Sequence, residues 1–228
     1  MDIVIIPDYN GESYLSITKE LSALYEKKTI LAALNGPLIQ PSEKVEKIND
    51  NIHLIRTPHG YNNALFYSLK YALENNYQRI YKLDTAEHDP KQISNLANLL
   101  STYDLVISDL SFTEETLPIH SHDYILNKIT MPNLTSKYSK LRLKLSGAHG
   151  YFALTNKALK STFPKITTIH NSTSNQSTWG LDTALMVEIV NSNLPYKVVS
   201  APATLLRDRP LEKIEKQVFD TRNLLSKT

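Results

Sequence analysis

Residues 79–90 of the chain read RIYKLDTAEHDP, and this stretch carries the pattern that decides the fold. The run from Arg79 to Leu83 predicts a short buried strand that ends at Asp84, and Pro90 opens a helix with apolar residues at helical spacing. In an open parallel sheet, ligands bind outside the carboxyl ends of the strands. Asp84 therefore stands where we expect a ligand-binding side chain.

Three carboxylates and an imidazole follow this strand within six residues. Asp89, directly before Pro90, is explained as a helix N-cap with proline at the first helical position. That explanation leaves Asp84, Glu87 and His88 without a structural role. Because hard divalent cations prefer oxygen ligands, these side chains form a candidate site for Mn²⁺ or Mg²⁺, where the metal would bridge two phosphates of a nucleotide.

Strands and helices alternate through the first half of the chain, which predicts an α/β fold with a Rossmann-like, mostly parallel sheet flanked by helices. Residues 112–145 show no repeating pattern, and we expect an irregular, flexible insert or flap there. A helical tail follows at the end of the chain. The remaining predicted strands are residues 3–7, 29–34, 51–56, 105–108, 150–154 and 196–199, and the tail helix is 211–225.

The composition excludes several classes of protein. A formal net charge of +2 on 228 residues is far below the positive charge that is typical of a nucleic-acid-binding protein. The absence of cysteine excludes disulfides and zinc-thiolate sites. No run of about 18 apolar residues is present, and the first residues do not have the pattern of a signal peptide. We therefore expect a cytoplasmic protein with at most peripheral membrane contact.

Polar residues follow four of the predicted strands. Any one of these places is explained by turn chemistry, since turns use Asn, Asp, Gly and Pro. Four of them at the carboxyl ends of parallel strands predict a binding site along one edge of the sheet. The four places are Pro7–Asn10, Asn35–Gly36, His59–Gly60 and Asp84.

Five stretches of the chain, taken together, resemble a known family. In order and spacing they are similar to the inverting glycosyltransferases of family 2, which include dolichyl-phosphate mannosyltransferases and many bacterial polysaccharide transferases. The resemblance covers nearly the whole chain except about residues 112–140. The stretches are IVIIPDYNGESYL from Ile3, GYNNALFYSLKYAL from Gly60, YKLDTAEHDPKQI from Tyr81, SGAHGYFALTNKAL from Ser146 and TWGLDTALMVEIVNSNLPYKVVSAPA from Thr178.

The resemblance implies a GT-A fold and a nucleoside-diphosphate sugar donor. Residues 1–110 would form the nucleotide-sugar-binding half of one domain, and residues 111–228 its acceptor-binding half with further α/β elements. Asn35 stands where the family usually has an aspartate, which leaves the base of the donor open. The residues expected to contact the nucleotide sugar at the first strands are Pro7, Tyr9, Asn10, Glu12, Asn35 and Gly60.

The acidic motif departs from the family's pattern. Asp84 matches the first acid of the family's Asp-x-Asp motif, but Ala86 occupies the position of the second acid. The metal would then be held by Asp84 with Glu87 or His88, or be bound weakly.

The family's basic residue after the fifth strand is also missing, since Ser108, Asp109 and Leu110 stand there. Neutralisation of the donor phosphates would then rest on Arg207 or Arg209, which lie where relatives often have a basic residue.

On the acceptor side, Asp182 matches the second acid of the family's Glu-Asp pair, with Leu181 in place of the first. Asp182 is our candidate base for the acceptor hydroxyl, and a helix N-cap is the structural alternative. Trp179, the single tryptophan, is expected either to stack on a sugar ring or to be half buried in the core. His149 lies among small residues, either close to the donor sugar or in a turn.

Three functions remain open from the sequence. The first is an inverting glycosyltransferase that uses a glycan or lipid-linked acceptor. The second is a catalytically weak or inactive nucleotide-sugar-binding protein, because the motif positions Ala86 and Leu181 lack acids. The third is a sugar-nucleotidyltransferase, which would need a glycine-rich basic loop after the first strand, where this chain has Asp8 to Gly11.

Overall fold

The computed structural model describes residues 1–9, 14–83, 90–111, 121–140, 151–173, 179–202 and 210–228. Within these ranges the chain forms one eight-stranded sheet with helices on both faces. The strands are β1 (Asp2–Asp8), β2 (Lys28–Leu34), β3 (Ser42–Lys47), β4 (Ile52–Arg56), β5 (Arg79–Lys82), β6 (Leu105–Ser111), β7 (Phe152–Thr155) and β8 (Tyr196–Pro202).

The helices alternate with the strands in the first half and cluster in the second. They are α1 (Tyr14–Leu24), α2 (Tyr61–Glu74), α3 (Ile93–Leu99), α4 (Ser121–Ile125), α5 (Met131–Tyr138), α6 (Asn156–Thr173), α7 (Leu181–Asn191) and α8 (Leu211–Leu225). A 3₁₀ turn (Pro90–Gln92) precedes α3, and a π-helical turn (Leu126–Thr130) joins α4 to α5.

The sheet has the strand order β3-β4-β2-β1-β5-β7-β6-β8. Strands β4, β2, β1 and β5 are adjacent and parallel, so their carboxyl ends lie at one edge. Strand β7 runs antiparallel between β5 and β6, and β8 pairs parallel with β6 at the far side. The predicted α/β fold class with a mostly parallel Rossmann-like sheet is confirmed.

Alternation along the strands divides the core into two layers. Ile80 of β5 packs with α2, α6 and α7, whereas Tyr81 and Leu83, the residue after β5, pack with α1 and α3 on the opposite face. Lys82 lies on the same face as Ile80 and is completely buried. A lysine is seldom fully buried, so its place in this strand needs a local partner.

The segment predicted to be irregular contains helical structure from Ser121 to Tyr138. Its polar Asn, Thr and Ser residues have weak helix propensity, and the π-helical turn shifts the spacing of the apolar residues. Leu126, Met131 and Leu134 are nevertheless buried against the core. No helix was predicted for this part of the chain, and its role as a flexible insert or flap stays a prediction. The proposed division of the domain at residue 110 stays a prediction.

Strand β3 was missed because its sequence, SEKVEK, is mostly charged and pairs only at the edge of the sheet. Among the described residues, no helix has both the length and the apolar content that crossing a bilayer requires.

Candidate active site

Four strand ends meet along the carboxyl edge of the sheet, as the sequence predicted. Asp8, Leu34, Arg56 and Lys82 are the last residues of β1, β2, β4 and β5, which are neighbours in the sheet. Because these strands are parallel, the segments that leave them lie side by side. The candidate site is built on this edge.

The ends of β1 and β2 are joined by Asn35. Its backbone N–H donates to the Asp8 carbonyl oxygen at 3.0 Å, and its side-chain amide donates to the carbonyl oxygens of Asp8 and Ala33 at 3.3 and 3.4 Å. Asn35 is 2% exposed. An aspartate could not donate these side-chain hydrogen bonds, so asparagine holds the two strand ends together here. Its expected contact with the nucleotide base stays a prediction.

Tyr9 and His59 form an exposed aromatic pair above this junction. The Tyr9 side chain is 53% exposed, and its ring contacts His59 edge to face at 5.6 Å between centroids. Pro7 is buried just below, in the part of β1 that extends beyond the end of β5. Tyr9 thus presents an accessible ring at the place where a nucleotide base was expected.

Gly60 connects this junction to helix α2. Its φ of 112° is in the region that favours glycine, and its N–H donates to the Asn35 carbonyl oxygen at 3.2 Å. Its own carbonyl oxygen accepts from the N–H groups of Asn63 and Ala64, which starts the helix. The first turn of α2 is therefore aligned with the ends of β1 and β2.

Three consecutive residues of this first turn reach the second half of the chain. The Asn62 amide donates to the Trp179 carbonyl oxygen at 3.1 Å and accepts from the Leu181 N–H at 3.0 Å. It therefore binds the backbone of residues 179–181 through one donor and one acceptor, as a neighbouring strand would. The Asn63 side chain hydrogen-bonds to the ring of His170 on α6 at 2.9 Å. Tyr61, the first of the three, contacts Asp182.

The carboxylate of Asp182 is held from both halves. The Tyr61 hydroxyl donates to Oδ2 at 3.1 Å, and the Thr183 N–H donates to Oδ1 at 2.7 Å. Asp182 is 5% exposed. The N-cap of α7 is Gly180, and Asp182 is the second residue of the helix. The alternative in which Asp182 is the N-cap was therefore wrong, because the glycine before the helix takes that position.

An aromatic ring and two lysines are linked to this carboxylate through Tyr61. The Tyr61 ring stacks on Trp179 at 5.2 Å between centroids and 17° between planes. The Lys82 ammonium lies 4.8 Å from the Tyr61 ring centroid, and the Lys213 ammonium lies 5.2 Å from the Trp179 ring centroid. Each cation is favoured by the negative face of its ring. Trp179 is partly buried in this group, and its stacking on a sugar stays a prediction.

His170 of helix α6 supports the first turn of α2, which carries Tyr61. The His170 ring stacks on Phe66 at 3.9 Å between centroids, 4° from parallel. Burial lowers the pKa of His170 below its ordinary value of 6.5, because the charged imidazolium would lose its hydration there. The neutral ring thus helps to fix the first turn of α2 through Asn63.

Several predicted site residues lie outside the described part of the chain. Where the structure describes the chain, no group of three or more His, Cys, Asp or Glu side chains could hold a metal ion. The predicted metal site and phosphate contacts therefore remain predictions. The residues outside the described ranges are Asn10, Glu12, Asp84, Glu87, His88, His149, Arg207 and Arg209.

The sequence reasoning missed the residues that bring the two halves together. Tyr61 and Asn62 follow a predicted strand-end glycine directly, and two polar or aromatic residues at that place are a usable signal. Lys82 carried a clearer signal, because a charged residue inside an otherwise apolar strand requires a specific partner. Lys213 was expected as part of a basic cluster with Arg207 and Arg209 that could hold phosphate, but its contact with the Trp179 ring was not.

A separate cavity of about 500 Å³ opens between α2 and the β3–β4 hairpin. Tyr67 and Tyr71 line it from α2, and Arg56 lines it from β4. None of the predicted site residues belongs to its lining. Its lining does not include Tyr61, Trp179 or Asp182.

No family model and no curated protein sequence matches the chain. Solved structures do share its fold. Residues 1–349 of S. aureus TarS align with 95% of this chain at 11% identity and a TM-score of 0.51, and the chain covers 62% of that structure. The chain thus spans less than two thirds of that neighbour.

Two further solved structures are similar over most of their length. One is a protein from Desulfovibrio desulfuricans named for nucleotide-diphospho-sugar transfer, with 6% identity, a TM-score of 0.49 and coverage of 88% of this chain and 80% of that one. The other is 2-C-methyl-D-erythritol 4-phosphate cytidylyltransferase from Thermus thermophilus, with 11% identity, a TM-score of 0.48 and coverage of 97% and 96%.

The likeness to TarS shows that the two proteins share a mixed α/β fold with a Rossmann-like sheet. At these identities the likeness establishes the fold, and the reaction has to be argued from the site.

Proposed function

We propose that this protein is an inverting glycosyltransferase that moves a sugar from a nucleoside-diphosphate sugar to a hydroxyl of a glycan or lipid-linked acceptor. The observation that carries the proposal is the buried Asp182 carboxylate, held at the carboxyl edge of the sheet by Tyr61 and Thr183. Tyr9, exposed at the end of β1 on the same edge, supports a nucleotide pocket beside it.

Asp182 acts as the base in this proposal. It takes the proton of the acceptor hydroxyl while the acceptor oxygen attacks the anomeric carbon from the face opposite the leaving group. The bond between the anomeric carbon and the phosphate oxygen breaks, and the nucleoside diphosphate leaves with the electron pair. The configuration at the anomeric carbon is inverted as a result.

Positive charge is needed where the diphosphate departs. Lys82 supports this role, since it is a completely buried cation at the end of β5, two residues before Asp84. Arg207 or Arg209 would add to it. Asp84 with Glu87 or His88 has a donor set that suits Mn²⁺ or Mg²⁺, and the ion would offset the charge of the diphosphate when bound.

The first experiment is a thermal-shift screen with nucleoside diphosphates, with and without Mn²⁺, followed by transfer assays with the matching donor sugars. We expect stabilisation by one nucleotide, since a ligand that binds only the folded state raises its stability. We then expect release of a nucleoside diphosphate together with a glycosylated acceptor. Release of pyrophosphate from a nucleoside triphosphate and a sugar phosphate would replace this proposal with nucleotidyl transfer.

The Asp182→Asn variant tests the assigned base. It should retain nucleotide binding and lose transfer by roughly 10² to 10⁴-fold, the usual range for a general base. Asp104→Asn is the matched control, since Asp104 is also a buried carboxylate but lies before β6 at the opposite edge, where it pairs with Lys157. A wild-type protein that binds nucleotide and transfers no sugar with any donor or metal would be a nucleotide-sugar-binding protein instead.

A further inference from the structure

The contact between Tyr61 and Asp182 joins residues 121 positions apart in the chain. Tyr61 belongs to the first turn of α2, which is anchored to the ends of β1 and β2 through Gly60 and Asn35. Asp182 belongs to the first turn of α7. The orientation of the carboxylate therefore depends on the first half of the chain as well as on its own helix.

The Tyr61 side chain is itself held in place on several sides. Its ring stacks on Trp179, and the Lys82 ammonium lies 4.8 Å from the ring centroid. The neighbouring Asn62 fixes the backbone of Trp179 and Leu181 with two hydrogen bonds. The hydroxyl is thus presented to Asp182 by a ring with little freedom to move.

Hydrogen bonds from two different elements fix the orientation of the Asp182 carboxylate. The hydroxyl of Tyr61, from α2, donates to Oδ2. The Thr183 N–H, from α7 itself, donates to Oδ1. With a fixed donor on each oxygen, rotation of the carboxylate is restricted, and the lone pairs of both oxygens have defined directions.

On the basis of the proposed function, we infer that Tyr61 is a positioning residue for Asp182, directing the carboxylate toward the acceptor hydroxyl through the hydrogen bond to Oδ2. It does not exchange a proton with the substrate. Its removal leaves the base present but less well oriented. Misplacement of a catalytic group by about 1 Å is enough to cost about 10²-fold in rate.

The Tyr61→Phe variant removes the hydroxyl and keeps the stacked ring. We expect kcat to fall about 10 to 100-fold with the donor KM little changed, because the lost interaction serves the acceptor hydroxyl and not donor binding. Tyr67→Phe is the matched control, since it removes one hydroxyl from the same helix on the side that lines the separate cavity. That control should leave both constants unchanged.

A double-mutant cycle tests whether Tyr61 acts through Asp182. In the Asp182→Asn background, Tyr61→Phe should lower the residual rate less than about 2-fold, since residues that act as a unit are not additive. Equal losses in both backgrounds would overturn the inference while leaving the glycosyltransferase proposal intact.

A second readout does not depend on turnover. The titration of the Asp182 carboxyl carbon, assigned by its absence in Asp182→Asn, is followed by NMR in the wild type and in Tyr61→Phe. The midpoint should move to higher pH, because a hydrogen bond to a carboxylate favours its charged form. Lys82 and Lys213, the cations that contact the two rings, remain in the variant. An unchanged midpoint would overturn the inference even if the protein transferred no sugar.

Discussion

Gly180 is the position where one added methyl group should do most damage to the segment that carries Trp179 and Asp182. Its φ is +98°, a conformation that L side chains rarely adopt, and an added Cβ would lie 2.4 Å from Thr221 Oγ1 and 2.7 Å from Thr221 Cα on α8. The backbone conformation costs of order 1–3 kcal/mol for a residue with a Cβ. Forcing extra volume into a packed contact costs typically about 1–3 kcal/mol more. We therefore expect Gly180→Ala to lower the free energy of unfolding by about 2–6 kcal/mol.

Urea denaturation followed by the fluorescence of Trp179, the only tryptophan, measures this loss directly. The midpoint should fall while the slope stays the same, as for a change in stability alone. The contribution of the clash is separated by repeating the substitution in a Thr221→Ala background, where the nearest atom is absent and part of the loss should be recovered. A change of less than about 0.5 kcal/mol, the usual range for surface substitutions, would refute the reasoning.

Four other predictions concern the same framework. Asn62→Ala should destabilise the protein by about 1–3 kcal/mol in urea denaturation, because it leaves the Leu181 N–H and the Trp179 carbonyl without their Asn62 partner. Asn75→Ala, which removes an exposed amide, should have little effect. Burial lowers the pKa of both His53 and His170 from 6.5, so the unfolded chain binds more protons than the folded one. The free energy of unfolding should therefore fall as the pH drops below about 6.5. In His170→Gln this fall should be less steep. Lys82→Met should weaken nucleoside-diphosphate binding in calorimetry, with exposed Lys197→Met as the control, and equal affinities would show that the Lys82 charge serves only the protein interior. Gly36→Ala would place a Cβ 2.1 Å from the Tyr9 carbonyl oxygen, so it should reduce the thermal shift produced by nucleotide, and an unchanged shift would contradict a role for Tyr9 in the pocket.

The strand pattern of the first half was readable because buried parallel strands appear as short apolar runs between turn residues. Strands predicted at residues 3–7 and 29–34 lie within β1 and β2, and the predicted tail helix coincides with α8. Local sequence was less informative where elements lack an apolar run or strong helix formers. Strand β3 is charged because it lies at an edge, and the helices between Ser121 and Tyr138 are rich in residues of weak helix propensity.

The candidate site also contains features that the sequence predicts and features that it does not. The places of Asn35 and Gly60 follow from one rule, that the carboxyl ends of neighbouring parallel strands share an edge. The partners of Asp182 do not follow from any such rule. A hydrogen bond to Tyr61 across 121 positions depends on how α2 and α7 pack on the same face of the sheet.

By itself, then, the sequence determined the class of fold and indicated the edge of the sheet where a site is expected, because apolar period and turn chemistry are local properties of the chain. The roles of Asp84 and Asp182 as the site's principal acids stay predictions, and that of Asp182 came from the family resemblance. Only the tertiary structure decided that β7 inserts between β5 and β6, that Gly180 caps α7 in place of Asp182, and that Tyr61 reaches that carboxylate while its ring contacts Trp179 and Lys82. These are contacts between residues far apart in the chain. Their energies come from packing, stacking and burial, which no local pattern records.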